Sequence, residues 1–263
     1  MECSEPGTRI RRPRKRDASY DVRMAERPVS ARVAELVAHH QALHDPQREP
    51  RNRLPWLREL RRWQAQRLRT SFARFLADPD QRPAAEFFLT DVYGDHDFAR
   101  RDADIAKVMP MMARLLPATL LETIAAGIEL GALTHALDLD MAEALQTLAP
   151  RRKKLDDELY AEAYRSVADP ARRKRQIELI GRVGQGLAKA VGTAGVAMLL
   201  RLSRGPARAA GLSELQGFLE RGFSSFGDLD DPSGFIDEIV ADESRVSKRL
   251  FKGDPDPFRT DDD

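Results

Sequence analysis

A chain of 263 residues with 42% apolar content is long enough for one large core and too short for more than two small ones. Its 43 basic and 42 acidic side chains nearly cancel, which excludes a whole-molecule field that would gather nucleic acid or membrane, so electrostatic partners must come from local clusters. A single cysteine, Cys3, excludes a disulfide framework and a thiolate metal site, and points to a reducing compartment.

Residues 1–27 contain no apolar run of signal-peptide length, and no later stretch reaches about 18 consecutive apolar residues, so a cytoplasmic protein without a membrane segment is expected. The opening segment is polar, proline-punctuated and aperiodic. It cannot bury enough surface to offset its ordering entropy, and residues 1–27 are expected as a disordered basic tail. Six of the eight residues from Arg9 to Arg16 are basic, the pattern of a solvated arm that also suits RNA or an acidic surface. Met24 offers a second start for translation.

From Val29 onward helix signals dominate. Val33, Leu36, Val37, His40 and Leu43 recur at three- and four-residue steps and predict a helix ending near Asp45-Pro46. A second helix is predicted after Pro55, whose missing N–H is harmless in a first turn, with Trp56, Leu57, Leu60, Leu68 and Phe75 inward and a stop at Asp78-Pro79. Ala85, Phe88, Leu89 and Val92 form a short apolar stripe ahead of Gly94, placed as a left-handed C-terminal cap. Asp95 or Asp97 then caps a helix with Ile105, Val108, Met109, Met112 and Leu116 as its core face and a kink at Pro110.

Beyond Pro117 the chain is apolar almost all round, the signature of a central helix, with Asp138 or Asp140 expected to open another short one. A charged helix follows within 150–167, with Leu155, Leu159 and Tyr160 inward. Asp169-Pro170 opens the longest helical stretch, expected to run unbroken to Gly205-Pro206, and two further helices cover about 207–226 and 232–251. No alternating, β-branched run and no fixed repeat is visible. The expected fold is all-α, a single-domain bundle of about eight to ten helices with short connections over residues 28–252, followed by a disordered acidic tail at 253–263.

Chemistry-bearing clusters are sparse. There is no Glu-x-x-His pair of the di-metal bundles, and His39, His40 and His44, with Glu35 nearby, are read as solvent-facing or capping groups at a helix end; no metal site is expected. Glu122, Glu129 and His135 are ionisable groups on the apolar central helix and must find partners if buried. Glu122 and Glu129, seven apart, are read as one exposed strip, and His135 as packing or surface, haem ligation being its functional alternative. The run Gly181-x-x-Gly184-x-Gly186 reverses the dinucleotide fingerprint and follows no strand; Gly181, Gly184, Ala188, Gly192 and Gly195 instead form a small-residue stripe suited to close helix approach. Arg48, Arg51, Arg53, Arg58, Arg61, Arg62, Arg67 and Arg69, interleaved with Trp56 and Trp63, make the densest basic region, read as a solvated face, with nucleic-acid binding the outside alternative.

The stretch 86–104 crowds acids, arginines, a histidine and a tyrosine around Gly94. Asp91, Tyr93, His96 and Arg101 are the candidate ligand-binding residues, as a polar cleft with perturbed ionisation. The competing reading is a joint in which two helices exchange caps and Arg100 and Arg101 pair with Asp97, Asp102 or Asp104.

The segments "EFFLTDVYG", "DFARRDADI", "LLP" and "GLSELQGFLERGFSSF" resemble a bacterial family of helical proteins named for a Phe-Phe-Leu-Glu-Glu type motif, over about residues 30–252. Phe87, Phe88, Leu89 and Asp91 match, while Thr90 replaces the first acid. That resemblance implies one helical domain and carries no activity. The functional expectation is therefore a non-catalytic helical module for protein interaction or self-association, motivated by the stripe from Gly184 to Gly195. An enzyme or small-ligand binder using Asp91, Tyr93, His96 and Arg101 is the alternative. No catalytic residue and no cofactor is assigned.

Overall fold

The computed structural model describes residues 29–92, 118–167 and 169–259. Among these there are ten α-helices and no strand: α1 (Val29–His44), α2 (Pro55–Ser71), α3 (Ala73–Ala77), α4 (Arg82–Phe87), α5 (Ala118–Leu148), α6 (Asp157–Ser166), α7 (Pro170–Val191), α8 (Val196–Ala209), α9 (Ser213–Gly227) and α10 (Pro232–Lys252). The fold is an all-α bundle. A 3-10 turn, Pro50–Arg53, links α1 to α2, and α4 runs on into a π-turn over Phe88–Val92.

The starts of the helices follow from local chemistry. Asp156, Asp169 and Asp231 each accept a backbone N–H bond at an N-terminus, from Leu159, Arg172 and Gly234 respectively, and prolines follow the last two, where a missing N–H is harmless. At its far end α10 closes on Gly253, whose φ of 71° is left-handed and suits a residue without a side chain.

α5 forms the axis, 31 residues or about 46 Å at the rise of an α-helix, and packs against α1, α2, α6 and α7. By length and composition it is apolar enough to cross a membrane, yet Leu137, Leu139, Met141, Ala142 and Leu145 are buried inside the bundle. No second helix begins at Asp138 or Asp140. The apolar stripe continues through both aspartates with no glycine or proline to break it, so Asp138 stands in mid-helix with 6% exposure, and Asp140 binds Arg51 and Arg172 at 2.8 and 2.6 Å.

The expected long stretch after Pro170 is two helices. α7 ends at Val191, Gly195 takes a φ of 89°, and α8 departs at 95° to α7, while Gly205 and Pro206 lie inside α8. The first part of the small-residue stripe packs within the chain, since a methyl group on Gly184 would collide with Ile236 of α10; Gly186, outside the stripe, lies as close to Thr123 of α5. Gly192 and Gly195 belong to the bend instead.

Three apolar clusters hold the bundle together. One joins Trp56, Leu60, Leu139, Met141, Leu145, Tyr160 and Leu250; one is aromatic, around Phe72, Phe75, Phe88, Phe226 and Phe235; the third sets Val33 and Val37 against Leu121 and Ile128. Residues 253–259, expected as the start of a loose acidic tail, fold back. Pro257 is buried, and the Phe258 ring lies edge-on to Trp63 at 5.4 Å and to Tyr160 at 5.9 Å, while Arg249 donates to the Arg259 carbonyl at 2.7 Å. The basic tail expected at 1–27 lies outside the described residues.

Candidate functional site

α5 and α7 run antiparallel, with Glu129 opposite Arg175, Thr134 opposite Gln176 and Gly127 opposite Val183. Between them, and roofed by α2 and α10, lies a cavity of about 930 Å³ bordered by members of all three apolar clusters. Its two ends differ. Ile124, Ile128, Ile180, Val183, Leu187 and Phe218 line one end, whereas Arg61, Gln64, Thr134, His135, Asp138, Arg173 and Gln176 line the other.

His135 organises the first part of the polar end. The Arg61 guanidinium donates to its Nδ1 at 2.8 Å, and because arginine has no lone pair to offer, the proton of the neutral ring must sit on Nε2, which donates to Asn52 Oδ1 at 2.9 Å. Burial, reinforced by His44 and the Arg61 charge, pushes the imidazole down to about 3. His44 stacks on His135 with centroids 3.8 Å apart, and His40 stacks on His44 at 4.2 Å. Asn52 in turn donates to the carbonyls of Leu43 and Glu49, so the histidines weld the end of α1 and the 3-10 turn to α5. With both nitrogens committed, His135 orients Arg61 and is poorly placed to serve as a base.

Asp138 lies one turn further along α5. Gln64 donates to its Oδ1 at 3.1 Å and Arg61 Nε stands 4.0 Å from Oδ2. Burial raises its carboxyl above the ordinary range, opposed by Arg61, the Gln64 hydrogen bond and Arg173. Its protonated form is thus favoured relative to that of an exposed aspartate.

Arg173 completes the set with 8% exposure. Its Nη1 donates to Gln176 Oε1 at 3.1 Å, its guanidinium carbon lies 4.6 Å over the Tyr164 ring, and Nη2 is buried with no hydrogen-bond partner. Gln176 donates to Thr134 Oγ1 at 2.8 Å, and the Tyr164 hydroxyl bonds Ser247 at 2.9 Å.

Of the residues singled out in sequence, His135, His40, His44, Arg61, Arg67 and Gly184 line the cavity, and Asp91, the described member of the candidate ligand-binding set, does not. Asp91 is paired on the outer side of the bundle with Arg221 of α9, whose Nε lies 3.0 Å from Oδ1, and is not part of the cavity wall. Tyr93, His96 and Arg101, like Gly94, lie outside the described residues. Glu122 and Glu129 are half-buried and bind Arg32 and Arg175, and His39 is exposed. His135 is buried at 3% exposure, and His40, expected near solvent, is buried too. Within the basic stripe, Arg51, Arg61, Arg62 and Arg67 turn to Asp140, His135, Glu59 and Glu243, so that stretch is not one continuous solvated face. Among the described residues no group of three His, Cys, Asp or Glu side chains could hold a metal ion.

Asp138, Arg173, Gln64, Thr134 and Gln176 were not foreseen. For Thr134 and Asp138 a signal was available: with His135 they interrupt a helix that is apolar all round, where a polar group has no solvated face to occupy.

No curated protein and no solved structure matches the chain. Residues 43–257, most of its length, match the model of DUF8198, a domain of unknown function, and the chain belongs to that family.

Proposed function

We propose that this protein binds a small organic molecule inside its helical bundle. The observation that carries this reading is the cavity of about 930 Å³, whose wall brings buried Asp138 and Arg173 together with a long apolar surface. Ligand sites are concave, mostly apolar and furnished with a few converging polar groups, and this cavity falls in their size range of roughly 300–1,000 Å³. Buried polar groups left short of partners are costly, and a ligand that satisfies them recovers that cost on binding. Calorimetric titration with anilinonaphthalene sulfonate tests the reading. Saturation at one molecule per chain is expected, and it is lost in Gly127→Phe, which fills the cavity from a position where a new Cβ meets only Val183 at ordinary contact distance. Unchanged binding in that variant, with its helical content intact, refutes the proposal.

A second reading is self-association through α8, where Met198 and Leu202 are 64% and 66% exposed. Light scattering over a wide concentration range separates the two. A dimer that dissociates in Leu202→Glu supports association, and a concentration-independent monomer removes it.

A further inference from the structure

We infer that the ligand of this cavity is an amphiphilic carboxylate whose head group lands on Arg173 and whose apolar body extends between α5 and α7. This rests on the ligand-binding reading above and adds the chemical class. The starting point is a comparison within one turn of helix. Arg172 binds Asp140 at 2.6 Å, Lys174 lies 3.8 Å from Glu178, and Arg175 clasps both oxygens of Glu129 at 2.8 and 3.0 Å. Arg173 alone among these four consecutive cations has no carboxylate partner, and it is the one that is buried.

A buried cation without a counterion is among the most expensive groups a fold can carry. Stacking on Tyr164 and a neutral hydrogen bond to Gln176 offset part of that cost and leave Nη2 without an acceptor. The charges along the cavity wall fix the sign of what is missing. Arg67 is matched by Glu243 at 2.8 Å, whereas Asp138, 4.0 Å from Arg61 and also within the field of Arg173, is disfavoured in its charged form by burial, so the wall keeps a net positive charge centred on Arg173. A positive wall calls for an anion. A planar carboxylate fits the fork of a guanidinium with two parallel bonds.

The rest of the cavity describes the rest of the ligand. From Gln176 to Leu187 the α7 wall runs roughly 16 Å at the rise of an α-helix. Past Gln176 its lining is Ile177, Ile180, Val183 and Leu187, faced by Ile124 and Ile128 of α5. An extended apolar chain or a flat ring system occupies such a surface; a small polar metabolite leaves it unfilled.

Matched probes test this: decanoate, decanol and decyltrimethylammonium, titrated by calorimetry into the full chain and into Arg173→Met and Arg173→Lys. Charge-assisted hydrogen bonds set the expected scale, so decanoate should bind at least about tenfold more tightly than decanol, with the cationic probe weakest. The preference should vanish in Arg173→Met and return in part in Arg173→Lys. If decanol and decanoate bind alike, the cavity reading stands and the carboxylate inference falls. If no probe binds, both fall. A preference for decanoate that survives in Arg173→Met overturns the role of Arg173, and should that variant not fold, the wild-type ranking and Arg173→Lys still decide.

Discussion

Within α7 two neighbouring regions solve opposite problems. At Gly184 and Gly186 the backbone lies so close to Ile236 and Thr123 that no side chain fits, whereas at Arg173 the same helix puts a buried cation with an unpaired Nη2 on the cavity wall. The first region is spent on contact and the second holds contact in reserve. Tight packing in one place is what makes an open, polar place affordable in a fold whose total margin is only about 5–15 kcal/mol. Stability and chemistry are thus divided along one helix, and substitutions at its two ends should fail in different ways.

The largest effect is expected at the close-packed end. Gly184→Val forces Ile236 and α10 outward and should cost about 3 kcal/mol, the upper range of overpacking, read as a lower urea midpoint at unchanged slope. A loss below a few tenths of that would mean α10 yields easily and the contrast between the ends is overstated.

Next comes the acid sensitivity of His135. Its folded-state value lies near 3, below the ordinary 6.5, so the unfolded chain takes up the proton first. Stability from this group is complete above about pH 6.5 and declines toward pH 3 at up to about 1.4 kcal/mol per pH unit. His135→Gln keeps an acceptor for Arg61 and a donor for Asn52 but cannot titrate, so its stability curve between pH 7 and pH 4.5 should be flatter than that of the wild type. Parallel curves would show that the ring is not the titrating element.

The smallest effect belongs to Asp138, whose carboxyl is raised by burial. For such a group folding is penalised once the unfolded carboxyl ionises, so Asp138→Asn should be more stable than the wild type near neutral pH. That gain should shrink as the pH falls through the ordinary carboxyl range, where both states are protonated. Thermal melts at pH 7 and pH 3.5 read the difference directly, and a destabilised variant at pH 7 would mean that the bond from Gln64 and the Arg61 charge outweigh the burial cost.

Much of this framework was legible in the residues. The spacing of Trp56, Leu57, Leu60 and Leu68 marks the buried face of α2, and the Asp-Pro pair at 169–170 marks a true helix start. Two boundaries were not legible for the same reason: an aspartate inside an apolar helix has the same letter as an aspartate at a cap, and two glycines inside a helical run look the same whether they pack or bend. Asp138 proved to be the former kind, Gly192 and Gly195 the latter. The polar end of the cavity was the least legible part. Periodicity counts apolar residues and treats every arginine as solvated, so a buried Arg173 among Arg172, Lys174 and Arg175 is invisible until the partners of the other three are known.

The folded-back end of the chain has a practical consequence. Of the two indoles, Trp63 touches Phe258 and Tyr160, while Trp56 sits deeper in the same cluster. Release of the last residues would wet one chromophore and spare the other. Because Phe258 and Tyr160 also border the interior space, intrinsic emission becomes a reporter of what happens there, with Trp56 as its internal reference.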